Sequence, residues 1–201
     1  KPEEMRDALV EAIKVISGES DGSGKTKLNN LTTMSEILEK IRFRLGLDSE
    51  SASLKHLRLY AANVQRVDAT AEKVGAITGT FYIVSVVDKT EETLEYSFEF
   101  EIPKLMTFED AMREVKVAVE KDVKVYYADI ADYKVKKKEI EKVANDVLKG
   151  QNYYARFKEI AMFKYDSVDR SKVTIVLDII RKGNSGMDTN EVTLEFTVLN
   201  K

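Results

Sequence analysis

Several residue types on which common protein chemistry depends are absent or rare in this sequence of 201 residues. It contains no cysteine and no tryptophan, two prolines and a single histidine, His56. Without cysteine the chain cannot form a disulfide, a thiol nucleophile, a cysteine-bound zinc site or an iron–sulfur cluster. One imidazole cannot build a site with several histidines, and we interpret His56 as a strand-edge residue. We therefore expect no catalytic residues, no metal site and no cofactor.

The charge of the chain is nearly balanced and the sequence has no long apolar run, so neither nucleic-acid binding nor a membrane span is expected. The sequence has 32 basic and 35 acidic residues, a net charge of -3. Residues 1 to 103 hold 13 basic and 18 acidic side chains, a net -5, whereas residues 104 to 201 hold 19 and 17, a net +2. Neither half has the basic excess that nucleic-acid binding requires. No run of about 18 apolar residues is present, so we expect no membrane span.

Hydrophobic periodicity in the first half predicts two helices followed by three strands. Apolar residues recur at helical spacing over residues 3 to 16 and 34 to 45. Strand patterns follow at residues 56 to 68, 76 to 87 and 92 to 102. In the last of these, apolar and polar residues alternate strictly, which is typical of a sheet with one buried and one solvated face.

The same order returns in the second half. Thr107 is suited to N-cap a helix, and residues 136 to 149 form a second amphipathic stretch that Gly150 ends. Strand patterns follow at residues 154 to 165, 172 to 181 and 190 to 199. Val125 and Tyr127 fit a short extra strand after the first of these helices.

We therefore predict an α+β protein with two similar domains, residues 1 to 103 and residues 104 to 201. Each domain has two helices packed on one face of a small antiparallel sheet, in the order ααβββ.

Matched residues in the two halves indicate a duplication. The matched pairs include Ile37 with Ile140, Arg58 with Arg156 and Phe98 with Phe196. Helix residues match at an offset of 103 and residues of the first and third strands at 98, while the middle strand fits best near 93. Changes of length that fall in loops are what duplicated domains show. Convergence on a common pattern is the alternative.

Three segments of the first half carry a family resemblance. They are Leu28-Asn29-Asn30-Leu31-Thr32-Thr33, Asp68-Ala69-Thr70-Ala71 and Gly75-Ala76-Ile77-Thr78-Gly79-Thr80. With the helix after Thr33, they resemble a module, about as long as one half of this chain, that recurs in tandem in cell-surface and S-layer-associated proteins of Gram-positive bacteria. The second half departs from the pattern at Ser171-Lys172-Val173-Thr174. The resemblance implies a surface spacer or interaction module and supplies no catalytic residues.

The segment between the first two helices contains two weak ligand-binding patterns. Gly24, Lys25 and Thr26 match the end of a phosphate-binding P-loop, but Glu19 stands where its first glycine is needed, and no buried strand precedes it. Glu19 and Asp21 could contribute to a calcium site, but the alternating carboxylate ladder of an EF-hand is missing. We interpret the segment as a solvated loop.

Tyrosines in the second half form the candidate ligand surface. Tyr126, Tyr127, Tyr153 and Tyr154 lie in sequence near the lysine-rich residues 134 to 138. Aromatic faces beside basic side chains can stack on sugars or anionic glycans. The alternative is that the tyrosines fill the sheet and the lysines form the solvated face of a helix.

A row of carboxylates offers the remaining route to catalysis. Glu95, Glu99 and Glu101 share one face of the last strand of the first half, and paired carboxylates can hydrolyse glycosides. The favoured interpretation is that they keep an exposed sheet face soluble and oppose aggregation.

Together these patterns favour a non-enzymatic module pair of a bacterial surface protein that acts as a spacer or interaction segment. Its expected partners are cell-wall glycan or another surface protein, and its expected location is extracellular. The first alternative is a carbohydrate- or protein-binding module that uses the tyrosines of the second half, and the second is a carboxylate-based hydrolase. Residues 1 to 4 lack the apolar stretch of a secretion signal.

Overall fold

The computed structural model describes residues 1–18, 28–47, 54–157, 163–183 and 188–200. In this part of the chain the protein is α+β, with five α-helices and two sheets, one three-stranded and antiparallel and the other five-stranded and mixed. The chain divides into two compact units, Lys1–Leu105 and Met106–Lys201. The N–H of Leu105 donates to Thr70 O at 3.0 Å within the first unit. The N–H of Met106 donates to Gln151 Oε1 at 2.8 Å within the second, so the boundary falls between these neighbours.

The first unit begins with two helices and ends with three strands. After a short 3₁₀ helix, Pro2–Met5, come α1 (Arg6–Ile16) and α2 (Met34–Leu45), and then β1 (Leu57–Val67), β2 (Gly75–Ser85) and β3 (Leu94–Ile102). The strands pair antiparallel in the order β1-β2-β3. Thr33 N-caps α2, since its Oγ1 accepts the Glu36 N–H at 3.1 Å, and Gly46 ends that helix in the left-handed region at φ 73°.

Three phenylalanines pack together within the mostly aliphatic core of the first unit. Phe81 stacks on Phe98 with ring centroids 4.1 Å apart, and its edge meets Phe100 at 6.2 Å. Apolar residues of both helices pack in the same cluster, among them Leu9 and Ile37. A Cβ on Gly79 would lie 2.8 Å from the Phe98 ring, so the ring packs against the backbone at this glycine.

The second unit contains three helices and five strands in its described residues. They are α3 (Phe108–Asp122), β4 (Val125–Tyr126), α4 (Tyr127–Ala131), α5 (Tyr133–Val147), β5 (Tyr153–Phe157), β6 (Lys164–Tyr165), β7 (Lys172–Arg181) and β8 (Thr189–Leu199). The strand order is β4-β8-β7-β5, and β6 also pairs with β7. Thr107 is the predicted cap of α3: its Oγ1 accepts the Asp110 N–H at 3.1 Å, and Asp110 Oδ2 accepts the Thr107 N–H at 3.2 Å.

The second unit corrects the prediction in four places. Its sheet is mixed rather than antiparallel, because β4 pairs parallel with β8. The strand predicted at 154 to 165 is divided into β5 and β6, which both pair with β7. The predicted extra strand ends at Tyr126, since Asp129 Oδ2 accepts the Tyr126 N–H at 2.7 Å and starts α4, a helix that the periodicity did not indicate. The helix predicted from residue 136 begins at Tyr133.

Candidate functional site

The structure does not bring the four predicted tyrosines together. Tyr126 lies in β4 and Tyr127 follows it, whereas Tyr153 and Tyr154 lie in β5. These strands are the two ends of the order β4-β8-β7-β5. Three strand spacings of about 4.8 Å put these strands about 14 Å apart across the sheet, and the register places Tyr126 opposite Leu199 and Tyr153 opposite Arg181, near opposite ends of the paired strands β7 and β8. A single ligand-stacking surface made of all four rings is therefore not present.

Tyr153 belongs to the core of the second unit. Its side chain is 5% exposed, and its ring lies 4.6 Å from that of Phe108. The guanidinium of Arg181 sits 5.8 Å from the Tyr153 ring centroid and 5.1 Å from that of Phe108. Both rings therefore stabilise an arginine of the same unit by cation–π contact, and a sugar would not reach the face of Tyr153.

Tyr126 and Tyr127 form the more accessible pair. Tyr126 is half-buried, and Tyr127 is 43% exposed at the start of α4. Because Asp129 fixes the Tyr126 N–H, the backbone that carries both rings is held in place. These two neighbours are therefore the accessible candidates among the predicted tyrosines.

The lysines near the tyrosines do not all form a solvated face. Lys136 is only 8% exposed, and its Nζ donates to Lys124 O at 2.7 Å and to Glu139 Oε2 at 2.8 Å. Burial alone lowers the pKa of Lys136, but the hydrogen bond and charge of Glu139, with the charge of Asp129, outweigh it and raise that pKa above its ordinary value. Lys136 in α5 therefore pairs with Asp129 of α4 and has an internal structural role rather than a ligand-binding one.

The carboxylates of β3 lie on an open sheet face. Glu95, Glu99 and Glu101 are all exposed, and their register partners on β2 are Tyr82, Thr78 and Ala76. The general acid of a glycosidase is a buried carboxyl, whereas these three carboxyls lie in solvent. The arrangement suits a charged, solvated surface or a partner of opposite charge.

An aromatic pair on the same face escaped the sequence interpretation. Tyr60 of β1 pairs with Tyr82 of β2, and their rings stack 5.1 Å apart at an angle of 14°. Tyr60 is 44% exposed. Alternation along β1 predicts that Tyr60 points outward, but only the register between the strands places it beside Tyr82.

The two sheets differ in how their outer edges are closed. In the second unit, Lys116 Nζ of α3 donates to Thr193 O at 3.0 Å, and the N–H of Glu195 donates to Glu120 Oε2 at 2.7 Å. Lys116 and Glu120 also pair with each other at 3.1 Å. One helix thus covers two backbone groups of β8, and β4 covers the end of that strand.

The opposite edge of the second sheet is closed by α5. Asn145 Nδ2 donates to Ala155 O at 3.0 Å, and the Ala155 N–H donates to Asn145 Oδ1 at 2.8 Å. One side chain thus takes the place of a neighbouring strand. The N–H of Phe157 donates to Glu141 Oε2 at 3.4 Å.

The first sheet has fewer such contacts among the described residues. On the β1 edge, Arg42 Nη2 donates to Leu59 O at 3.1 Å. On the β3 edge, no described side chain hydrogen-bonds to the backbone of residues 94 to 102. A bulge interrupts β1 between Ala62 and Gln65, where Asn63 adopts φ 55°. The bulge disturbs pairing along β1, so β3 is the more regular open edge.

The remaining candidate residues are placed as follows. His56 is half-buried in the turn before β1, where its carbonyl accepts the Val86 N–H at 2.8 Å. The P-loop-like Gly24, Lys25 and Thr26, with Glu19 and Asp21, lie outside the described residues, so both interpretations of that loop stay predictions. The described residues contain no group of three or more histidine, cysteine or acidic side chains placed to hold a metal ion. None of the described helices combines the length and the apolar character that crossing a membrane requires.

No family model matches this chain, and no curated protein and no solved structure is similar to it.

Proposed function

We propose that the chain consists of two copies of one ααβββ module and serves as a non-enzymatic spacer or interaction segment of a bacterial surface protein. The observation that carries this proposal is the agreement between strand register and sequence offset. Helix burial and the nature of the repeated residues add to it.

The first and middle strands of the two units match at fixed offsets. In the first sheet Arg58 pairs with Val84. In the second sheet Arg156 pairs with Asp178. The arginines are 98 positions apart, as the sequence match requires, and their partners are 94 apart.

The third strand gives the same result independently. Phe98 pairs with Gly79, and Phe196 pairs with Val173. The phenylalanines are 98 positions apart, and their partners are again 94 apart. The middle-strand offset is therefore one more than the sequence suggested, and the difference matters because a slip of one residue turns every side chain to the other face. Two ladders that agree on one offset favour common descent over convergence.

The second helix of each unit buries matching positions. At the helix offset of 103, the buried pairs are Ile37 with Ile140, Ile41 with Ala144, and Leu45 with Leu148. The residues that recur in this helix are therefore core side chains. A repeated core supports the proposal that the two units are copies of one module.

The cell-surface assignment rests on the family resemblance and is tested on intact cells. We expect brief protease treatment of washed cells of the source organism to release peptides of this chain, while a cytoplasmic marker stays intact. Peptides that appear only after lysis would contradict a surface location. The expected partners are cell-wall glycan or another surface protein.

The second candidate function is ligand binding by Tyr126 and Tyr127, the accessible pair of the predicted tyrosines. If they bind cell-wall glycan, the double change Tyr126→Ala and Tyr127→Ala lowers co-sedimentation with insoluble wall material. Tyr165→Ala is the matched control, because Tyr165 is 37% exposed on β6. Equal sedimentation of both variants and the unchanged protein would remove this candidate.

A further inference from the structure

The outer edge of β3 in the first unit lacks the helix side chains that cover the outer edge of β8 in the second unit. Lys116 and Glu120 cover the β8 edge. At the helix offset of 103, which rests on the proposed duplication, their counterparts are Ile13 and Ser17. Ile13 has no polar side-chain group, and Ser17 Oγ donates to Ile13 O at 2.8 Å within α1. Neither side chain covers β3.

The residue offsets between the two units also identify which backbone groups of β3 point away from the sheet. In β8 the outward groups are the carbonyl of Thr193 and the N–H of Glu195. At the strand offset of 98 they correspond to the carbonyl of Glu95 and the N–H of Ser97. No described side chain bonds to either group. An edge strand with free outward N–H and C=O groups is a template for an added strand.

The side chains beside this edge set the charge of a matching strand. Glu95, Glu99 and Glu101 occupy three of the four alternate positions 95, 97, 99 and 101 on the solvated face, and no described side chain forms an ion pair with them. Residues directly opposite in neighbouring strands have Cβ atoms about 4.5–5.5 Å apart, where opposite charges attract and like charges repel. The edge therefore selects basic residues at every second position and disfavours the β3 strand of another copy.

We propose that the outer edge of β3 binds an extended polypeptide segment with lysine or arginine at alternate positions and adds it to the sheet as a fourth strand. The segment runs parallel to β3, as β4 runs parallel to β8, so its basic side chains lie beside the glutamates and the main-chain groups of the residues between them pair with the β3 edge. The second unit shows such an addition within one chain, where β4 pairs with β8 from Val125 opposite Val198.

Peptide binding to the full chain tests this proposal. The probe is a fluorescein-labelled octapeptide of alternating lysine and threonine, followed by fluorescence anisotropy at low salt. A peptide with proline at each threonine position keeps the charge but removes alternate N–H groups, and a glutamate–threonine peptide reverses the charge. We expect the lysine–threonine peptide to bind, the proline peptide to bind at least tenfold more weakly, and the acidic peptide not to bind.

Three variants locate the binding at the β3 edge. The change of Glu95, Glu99 and Glu101 to glutamine should weaken binding about tenfold. The matched control changes three exposed glutamates elsewhere in the first unit, Glu11, Glu39 and Glu72, to glutamine and should stay within twofold of the unchanged protein. The pair Ile13→Lys and Ser17→Glu transfers the α3 cap without changing the net charge and should abolish binding. Thermal unfolding checks that each variant is folded.

Three results would overturn the proposal. They are no binding of the lysine–threonine peptide at millimolar concentration, equal binding of the proline peptide, and equal loss in the control triple variant. The second and third would mean attraction to net charge rather than strand addition. None of them bears on the surface location, which the protease experiment on intact cells tests separately.

Discussion

The first and second units pair their strands in matching register but treat the edges of their sheets differently. In the second unit, Asn145 closes one edge, and Lys116 with Glu120 closes the other. In the first unit, the described side-chain hydrogen bonds to the sheet edges come from Arg42 and Arg58, which donate to Leu59 O and Leu57 O of β1. The comparison teaches that two units with the same strand register can differ in the side chains that cover the edges of their sheets. Differences in function between the units are then expected at the edges.

The largest expected effect comes from breaking one core at a time. Phe81→Ala removes a fully buried ring that packs on Phe98, so we expect a loss of about 3–5 kcal/mol in the first unit. Its counterpart at the middle-strand offset is Ile175, and Ile175→Ala should cost the second unit about 2–5 kcal/mol. Hydrogen exchange on the full chain should show lost protection only in the unit that carries the change. Equal loss in both units would contradict their separate cores.

The next effect concerns the helix side chains that close the first strand of each sheet. Asn145→Ala leaves both backbone groups of Ala155 unbonded and should cost about 1–3 kcal/mol. Arg42 occupies the matching position and covers one carbonyl, so Arg42→Met, which keeps an apolar stem, should cost about 1 kcal/mol or less. Urea unfolding of both variants measures the difference. A larger loss of unfolding free energy for Arg42→Met than for Asn145→Ala would contradict the view that Asn145 closes its edge more completely than Arg42 does.

Opening the β8 edge should change association more than stability. The pair Lys116→Ile and Glu120→Ser installs the residues found at the matching positions of α1. It should cost about 1 kcal/mol, raise exchange of the Glu195 amide, and promote concentration-dependent association. The control is Lys142→Ile with Asp146→Ser, because that exposed ion pair has the same spacing and contacts no strand. Association of the control to the same extent would show that charge loss, not edge opening, is responsible.

The smallest effect is a pH-dependent one at the start of α3. The hydrogen bond from Arg113 and then that from the Thr107 N–H lower the pKa of Asp110 below its ordinary value of 3.8. A lowered folded-state pKa gives stability that is present above pH 3.8 and is lost as the pH falls through the folded value. Asp110→Asn should therefore cost about 0.5 kcal/mol at pH 7 and nothing well below pH 3.8. Urea unfolding at several pH values measures the cost, and a constant difference would contradict this origin.

Local patterns predicted much of the fold because local physics determines those parts. Thr33 and Thr107 cap their helices as their sequence contexts indicate. The alternation in β3 and β8 fixes which face is buried. By contrast, α4 depends on Asp129, and a buried Lys136 interrupts the apolar stripe that would have located the start of α5.

The candidate surfaces were harder to predict because they depend on contacts between distant segments. The adjacent Tyr153 and Tyr154 look alike in sequence, but successive strand residues point to opposite faces, and Phe108 covers Tyr153. Lys116 and Glu120 resemble an ordinary surface pair at helical spacing. Their second role appears only when α3 lies beside β8.

The most direct test of the two-module proposal is to express residues 1–105 and 106–201 separately and follow their unfolding. Each fragment should show a cooperative thermal transition, because each contains its own core and its own sheet. Their amide protection patterns should match those of the same residues in the full chain. Two fragments that are both unfolded at 25 °C would contradict the proposal that each half is a complete module.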